Sequence, residues 1–124
     1  GSIDFVNIIQ QLEAADFIDV TSSLTFHASL SGITKEAYRF KDGTTIVKVA
    51  AALTANIAAI ANVVSNIPPA LLSQSQLTAE VRKGTTYSTW PLSIAGTNIL
   101  NTAAVLPFAT WDNINIYAYY KSTN

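Results

Sequence analysis

The stretch that decides the fold is residues 37–53, with the sequence AYRFKDGTTIVKVAAAL. At its centre lies Asp42-Gly43, a dipeptide typical of the tight turn between two antiparallel strands, because aspartate and glycine tolerate the backbone conformations that such turns need. The flanking segments 37–40 and 45–53 contain β-branched and aromatic residues, which favour strands. This stretch therefore predicts a β-hairpin.

The β pattern continues on both sides of this hairpin. Residues 24–30 alternate between apolar and polar side chains, which is typical of a strand with one buried face. Residues 78–83 and 86–95 flank Gly84 and predict a second hairpin, and residues 111–120 predict a long closing strand. Many short strands separated by turn residues predict an all-β fold, a small antiparallel barrel or sandwich.

The segment 55–65 fits this pattern less simply. It is rich in alanine, which favours helix, although its surroundings favour strands. Pro68-Pro69 ends whatever element precedes it. We expect an irregular connection or a short strand here.

The N-terminal segment has a different rhythm. Phe5, Ile8, Leu12 and Ala15 follow the spacing of heptad core positions, and Asp4 is a suitable N-cap ahead of them. The segment predicts a short helix. Two interpretations stay open, an amphipathic helix lying on the domain and a neck helix that bundles with copies of itself.

The composition narrows the classes of function. The 124 residues include 49% apolar and only 12% charged residues, with a formal net charge of -1. This balance excludes intrinsic disorder and leaves no basic patch for nucleic acid. No apolar run is long enough to predict a membrane-spanning helix. The absence of methionine leads us to expect a fragment or processed piece of a longer protein.

Little in the sequence indicates an enzyme. His27 is the single histidine and no cysteine occurs, so we expect neither a metal site nor a cofactor. By strand parity His27 shares a polar face with Thr25 and Ser29. No Gly-x-Ser-x-Gly motif occurs, and the spacing of the carboxylates does not indicate a glycosidase pair. We expect no catalytic residues.

The closing strand carries aromatic residues on one face. Its alternation predicts one face in the core and the other outside. Aromatic rings beside amides and hydroxyls suit sugars, because rings stack on C–H faces while polar groups bind hydroxyls. Equally, an aromatic outer face can pack against a neighbouring subunit. The predicted core residues are Ile114, Ile116, Ala118 and Tyr120, and the predicted outer residues are Trp111, Asn113, Asn115, Tyr117 and Tyr119.

The order of these parts resembles the head domains of receptor-binding proteins from lactococcal siphophages. The resemblance covers about residues 38–121 and is strongest over 74–94 and 108–121. It implies a small antiparallel β-barrel head that forms a homotrimer through a short neck and binds cell-wall saccharides of the bacterial host. On this interpretation residues 1–20 form a neck or helical lead-in and residues 21–124 form the receptor-binding head.

The resemblance also indicates where a ligand would bind. Where some members of that family carry a histidine, an aspartate and an arginine, this chain has Pro91, Ser93 and Trp111. A stacking contact from Trp111 would then replace an ionic one. We expect the site to be completed by an adjacent protomer. The predicted saccharide-binding residues are Tyr87, Ser93, Trp111, Asp112 and Tyr117.

Three hypotheses for function follow. The first is a host-recognition module of a phage tail that binds cell-wall polysaccharide or another glycan. The second is a structural trimerisation or assembly domain of a tail fibre or surface appendage, and the third is a small hydrolase, which requires His27 near a carboxylate. The first implies an extracellular location at the tail tip or baseplate, attachment to the rest of the tail through the N-terminal side, and no nucleic-acid partner or membrane insertion.

Overall fold

The computed structural model describes residues 17–72, 74–102 and 104–123. Over these residues the chain forms nine β-strands and one 3₁₀ turn, Thr21–Ser23, with no α-helix. The all-β prediction is confirmed at this level. The predicted N-terminal helix with its N-cap, residues 4–15, lies outside the described residues.

The nine strands form one sheet in which every neighbouring pair is antiparallel. The order across the sheet is β1-β3-β4-β9-β6-β7-β8-β5-β2. The edge strands β1 and β2 are separated in the chain only by the 3₁₀ turn and its flanking residues, so the sheet curls into a half-barrel. The strands are β1 Ile18–Asp19, β2 Thr25–Phe26, β3 Leu30–Arg39, β4 Thr44–Leu53, β5 Asn62–Ser65, β6 Gln74–Lys83, β7 Thr86–Ala95, β8 Asn98–Asn101 and β9 Asn113–Lys121.

Both predicted hairpins are present. In the β3–β4 hairpin, the Asp42 carboxylate accepts a hydrogen bond from the Thr44 N–H at 2.9 Å, and the Gly43 N–H donates to the Phe40 carbonyl at 2.9 Å. Gly43 has φ +91°, a conformation that a side chain opposes. The β6–β7 hairpin turns at Gly84, with φ +59°. The turn residues thus set both reversals locally.

The core lies inside the curl of the sheet. The inward residues of β9 are at most 3% exposed, which confirms the predicted core face: Ile114, Ile116, Ala118 and Tyr120. Apolar side chains from the other strands and from the connecting segments complete the cluster. Burying one large aliphatic side chain contributes about 1.5–3 kcal/mol, so this cluster holds the sheet in its curled form.

One buried amide organises the irregular segments at one end of the half-barrel. Asn101 is 2% exposed, and its Nδ2 donates to the carbonyls of Ile57, Ala58 and Ala104 at 2.9–3.1 Å. Its Oδ1 accepts a hydrogen bond from Trp90 Nε1 at 2.7 Å. The carbonyls of two loops therefore accept hydrogen bonds from a side chain, where in a regular sheet the backbone of a neighbouring strand would donate them.

The predicted strand over residues 24–30 is shorter than expected. Of these residues, only Thr25 and Phe26 of β2 and Leu30, the first residue of β3, lie in strands, since the chain turns at His27. The His27 Nδ1 accepts a hydrogen bond from the Ser29 N–H, and its carbonyl accepts one from the Leu30 N–H, both at 3.0 Å. Ala28, which the alternation predicted to be inside, is exposed in this turn.

Two further segments, residues 55–65 and 18–19, contribute short strands to the sheet. The connection over residues 55–65 is irregular until it forms the short strand β5, as expected. Residues 18–19, assigned from the sequence to the end of the lead-in, form β1 and pair with Tyr38 and Arg39 of β3. The Thr21 hydroxyl that follows contacts the Ala37 backbone at 2.9–3.3 Å, which ties this edge to the sheet.

Candidate functional site

A groove of about 420 Å³ crosses the outer face, which we define as the outward side of β3, β4, β9, β6 and β7. Glu36, Lys48 and Tyr117 lie opposite one another on adjacent strands and form one row across it. The next row consists of Thr34, Ala50, Asn115 and Glu80. We call this depression the Tyr117 groove.

Two features of the strands create the Tyr117 groove. The small side chain of Ala50 leaves a low floor between the longer side chains around it. In addition, β6 pairs with β9 only at residues 80–82, so the two strands separate beyond Asn115. The groove extends into the space between Thr78 and Tyr117, and both residues line it. A ligand could therefore contact side chains from four strands at once.

The chemistry of the groove is mixed and close to neutral. Tyr117 is 55% exposed, so its aromatic ring could stack on a ligand. Beside it, Asn115 Nδ2 donates to a Glu80 carboxylate oxygen at 3.4 Å, and Lys48 and Glu36 add one charge of each sign. Hydroxyl groups could both donate to and accept from this set.

A smaller depression of about 230 Å³ adjoins the Tyr117 groove on the same face. It is lined by Arg82, Asn113 and the small residues Gly32 and Ala52. The Arg82 guanidinium carbon lies 6.0 Å from the ring centroid of Tyr87, within reach of a cation–π contact. We call this depression the Arg82 pocket.

The structure separates the five predicted site residues. Tyr87 is 58% exposed, and Asp112 lies next to Arg82, since its N–H donates to the Arg82 carbonyl at 3.0 Å. Ser93 is half-buried on β7, six residues from Tyr87, and strand geometry puts about 20 Å between them. Of the five predicted site residues, only Tyr117 lines the Tyr117 groove.

Trp111 occupies a position intermediate between core and surface. Its side chain is half-buried and packs against the core cluster. Its N–H donates to the Pro107 carbonyl at 3.0 Å, so the preceding turn holds it in place. The neighbouring Asp112 carboxylate accepts a hydrogen bond from Asn113 Nδ2 at 2.7 Å. Parity alone predicted Trp111 on the outer face, but the chain turns before β9 begins.

Most residues that line the two depressions carry no signal that sequence patterns alone picked out. Lys48, Glu80 and Arg82 were not singled out, and Asn115 was assigned only to an outer face. Period-two alternation within β4 and β6 could have put these side chains outside. Their meeting depends on β9 lying between β4 and β6, which no local pattern indicates.

His27 is half-buried, and its Nδ1 is used in the turn before β3. Over residues 17–72, 74–102 and 104–123, no group of three or more His, Cys, Asp or Glu residues could hold a metal ion. Within the described part of the chain, no helix has the length and apolarity needed to cross a bilayer.

The chemistry of the outer face is therefore the basis for a functional interpretation. Compared with protein-family models, with curated proteins and with solved structures, the chain has no significant match.

Proposed function

We propose that this domain is a non-catalytic saccharide-binding module. On this proposal it acts as the head of a phage-tail receptor-binding protein that recognises cell-wall polysaccharide of a lactococcal host. The observation that carries the proposal is the Tyr117 groove, in which a 55% exposed tyrosine ring lies beside amide, carboxylate, ammonium and hydroxyl groups. Such a combination suits the apolar faces and hydroxyls of a sugar ring.

The character of the groove favours a sugar over other ligands. A drug-sized apolar ligand prefers an enclosed cavity, whereas this depression is open and crosses the surface of a sheet. Nucleic acid requires an excess of cations, but here Lys48 lies beside the carboxylates Glu36 and Glu80. A polyhydroxylated ligand needs neither an enclosed cavity nor a net charge.

An assembly function is the second candidate, and a separate surface favours it. Leu71 and Leu72 are adjacent and 59% and 76% exposed, outside both depressions of the outer face. Exposed leucines of this kind are typical of surfaces that pack against another chain. A homotrimer attached to the tail through its N-terminal side could use this surface and leave the Tyr117 groove open, so the two functions are compatible.

Replacing Tyr117 tests the saccharide proposal. Tyr117→Ala removes the stacking ring, and we expect the affinity for lactococcal cell-wall polysaccharide to fall about tenfold, as when other aromatic anchors are truncated. Titration calorimetry with the purified polysaccharide and adsorption of the labelled domain to host cells would measure it.

Tyr119 provides a matched control on the same strand and the same face. It is 62% exposed and lies outside the groove, so Tyr119→Ala should leave the affinity unchanged. Equal affinities for the two variants and the unmodified domain, at equal thermal stability, would contradict the proposed site. An absence of binding by the unmodified domain would contradict the function.

A further inference from the structure

We infer that the Tyr117 groove and the Arg82 pocket form one continuous trough, and that its ligand is a linear oligosaccharide of several sugar units. The inference rests on the proposed function and adds the extent of the site and the size of the ligand. Its two ends are the aromatic side chains Tyr117 and Tyr87, which lie on different strands.

The two depressions share part of their walls. Thr34, Ala50 and Asn115 line both the larger groove and the smaller pocket. These three residues lie directly opposite one another on β3, β4 and β9. They therefore form a common floor across the sheet, and none of these three side chains is large.

Small residues keep the floor low. Ala50 and Ala52 are successive outward residues of β4, and their side chains are shorter than that of Lys48, the outward residue before them. On β3, Gly32 lies in a register shift between Ser31 and Thr34 and has φ +57°, a bulge that draws the strand away from its regular path. The trough therefore results from side-chain size and from an irregular strand edge.

The distance between the ends determines the size of the ligand. Tyr117 is four residues from Asn113 along β9, about 14 Å, and Tyr87 lies two strands across from Asn113, about 10 Å. A single sugar ring cannot reach both aromatic side chains. A linear chain of several units can contact both and cover the shared floor between them.

Each end offers a stacking ring with polar groups beside it. At one end Tyr117 lies opposite Lys48 on the neighbouring strand, and Glu80 lines the same groove. At the other, the Arg82 guanidinium lies 6.0 Å from the Tyr87 ring centroid, so its N–H groups are held near that ring. Each end can therefore hold a sugar unit by stacking and by hydrogen bonds to hydroxyl or ring oxygens.

Affinity as a function of fragment length tests the inference. The probe is lactococcal cell-wall polysaccharide, cut by mild acid and separated by size from monosaccharides to octasaccharides. We expect the affinity of the unmodified domain to rise steeply over the first several units and then to level off, because the second end contributes only once the chain can reach it.

Two variants separate the ends. Tyr87→Ala should lower the affinity for the longer fragments about tenfold and leave the affinity for the shortest binding fragment unchanged. Ala50→Tyr places a ring on the shared floor. It should lower the affinity for long fragments to the value found for short ones. Tyr119→Ala, on the outer face but outside the trough, should match the unmodified domain at every length.

The outcomes distinguish this inference from the proposed function. Binding that does not depend on length, or that Tyr87→Ala and Ala50→Tyr leave unchanged, would overturn the trough while keeping a saccharide site. No binding of any fragment would overturn both. A lower molecular mass by light scattering in Ala50→Tyr than in the unmodified domain would also overturn the trough, because it would show that this face is an interface between copies of the chain.

Discussion

The two hairpins have similar turns and different surroundings. Both the β3–β4 and the β6–β7 hairpins turn at a glycine with positive φ, at Gly43 and Gly84. A Cβ atom at Gly43 would lie 2.9 Å from the carbonyl oxygen of Ser122, whereas a Cβ at Gly84 would meet nothing within 4 Å. A turn glycine with positive φ is thus buried in one hairpin and exposed in the other.

The C-terminal end of the chain makes this difference. The Ser122 N–H donates to the Gly43 carbonyl at 2.7 Å, and the Ser122 hydroxyl accepts a hydrogen bond from Arg39 Nε at 2.8 Å. The first hairpin is thereby a part of the packing. The tip of the second hairpin projects and carries the exposed Tyr87 beside Arg82. A glycine turn can therefore contribute either to the packing of the fold or to an exposed surface.

The largest expected effect comes from a methyl group at the buried turn. Gly43→Ala places a side chain where φ is +91° and where backbone lies too close, so we expect the free energy of unfolding to fall by about 2–4 kcal/mol. Gly84→Ala should lower the free energy of unfolding by only about 1 kcal/mol, since the added methyl group contacts nothing and only the positive φ is unfavourable. Urea denaturation of both variants measures the difference. Equal losses would show that the contact with Ser122 contributes nothing.

A smaller effect is expected from the phenol that lies beneath the first hairpin. Tyr120 pairs with Thr45 in the sheet, is 3% exposed, and donates its O–H to the Pro68 carbonyl at 2.7 Å; burial raises the pKa of this phenol. Tyr120→Phe leaves that carbonyl without its donor, which should cost about 1–2 kcal/mol. Tyr119→Phe, on the exposed face, should change stability by less than about 0.5 kcal/mol. A loss shared by both variants would contradict this assignment.

The smallest expected effect is a dependence on pH at the first turn. The hydrogen bond from the Thr44 N–H is the main cause that holds the pKa of Asp42 below its ordinary value of 3.8, and Lys121, 3.4 Å away, is a minor one. Because the folded-state pKa is the lower one, the stabilisation is present above pH 3.8 and is lost as the pH falls below it.

Two variants check this pH dependence. Asp42→Ala should be less stable than the unmodified domain near neutral pH, and the difference should shrink below the ordinary pKa of 3.8. Lys121→Ala should keep most of the lowered pKa, as followed by NMR titration of the Asp42 carboxyl carbon. An acid-limb stability profile that is identical in the unmodified domain and in Asp42→Ala would contradict the prediction.

The site was less predictable than the fold. Alternation along β9 put Tyr117 outside and Ile116 inside, as the structure does. The same alternation held for Leu24 and Leu30, which are buried, and failed at Ala28 and Ser29, because hydrogen bonds of His27 turn the chain there. Tyr87 and Ser93 lie on one strand and were assigned to one site, yet their six-residue separation puts them far apart. Shared orientation does not imply proximity.

The sequence by itself determined the features that depend on near neighbours. Turn residues such as Asp42-Gly43 set the hairpins, and a period of two separated the core face of β9 from its outer face. Only the tertiary structure decided that β9 lies between β4 and β6, that these strands separate beyond Asn115, and that Ser122 packs on Gly43. The reason is that strands distant in sequence pair through the packing of the whole core, and local alternation is compatible with several partners and registers.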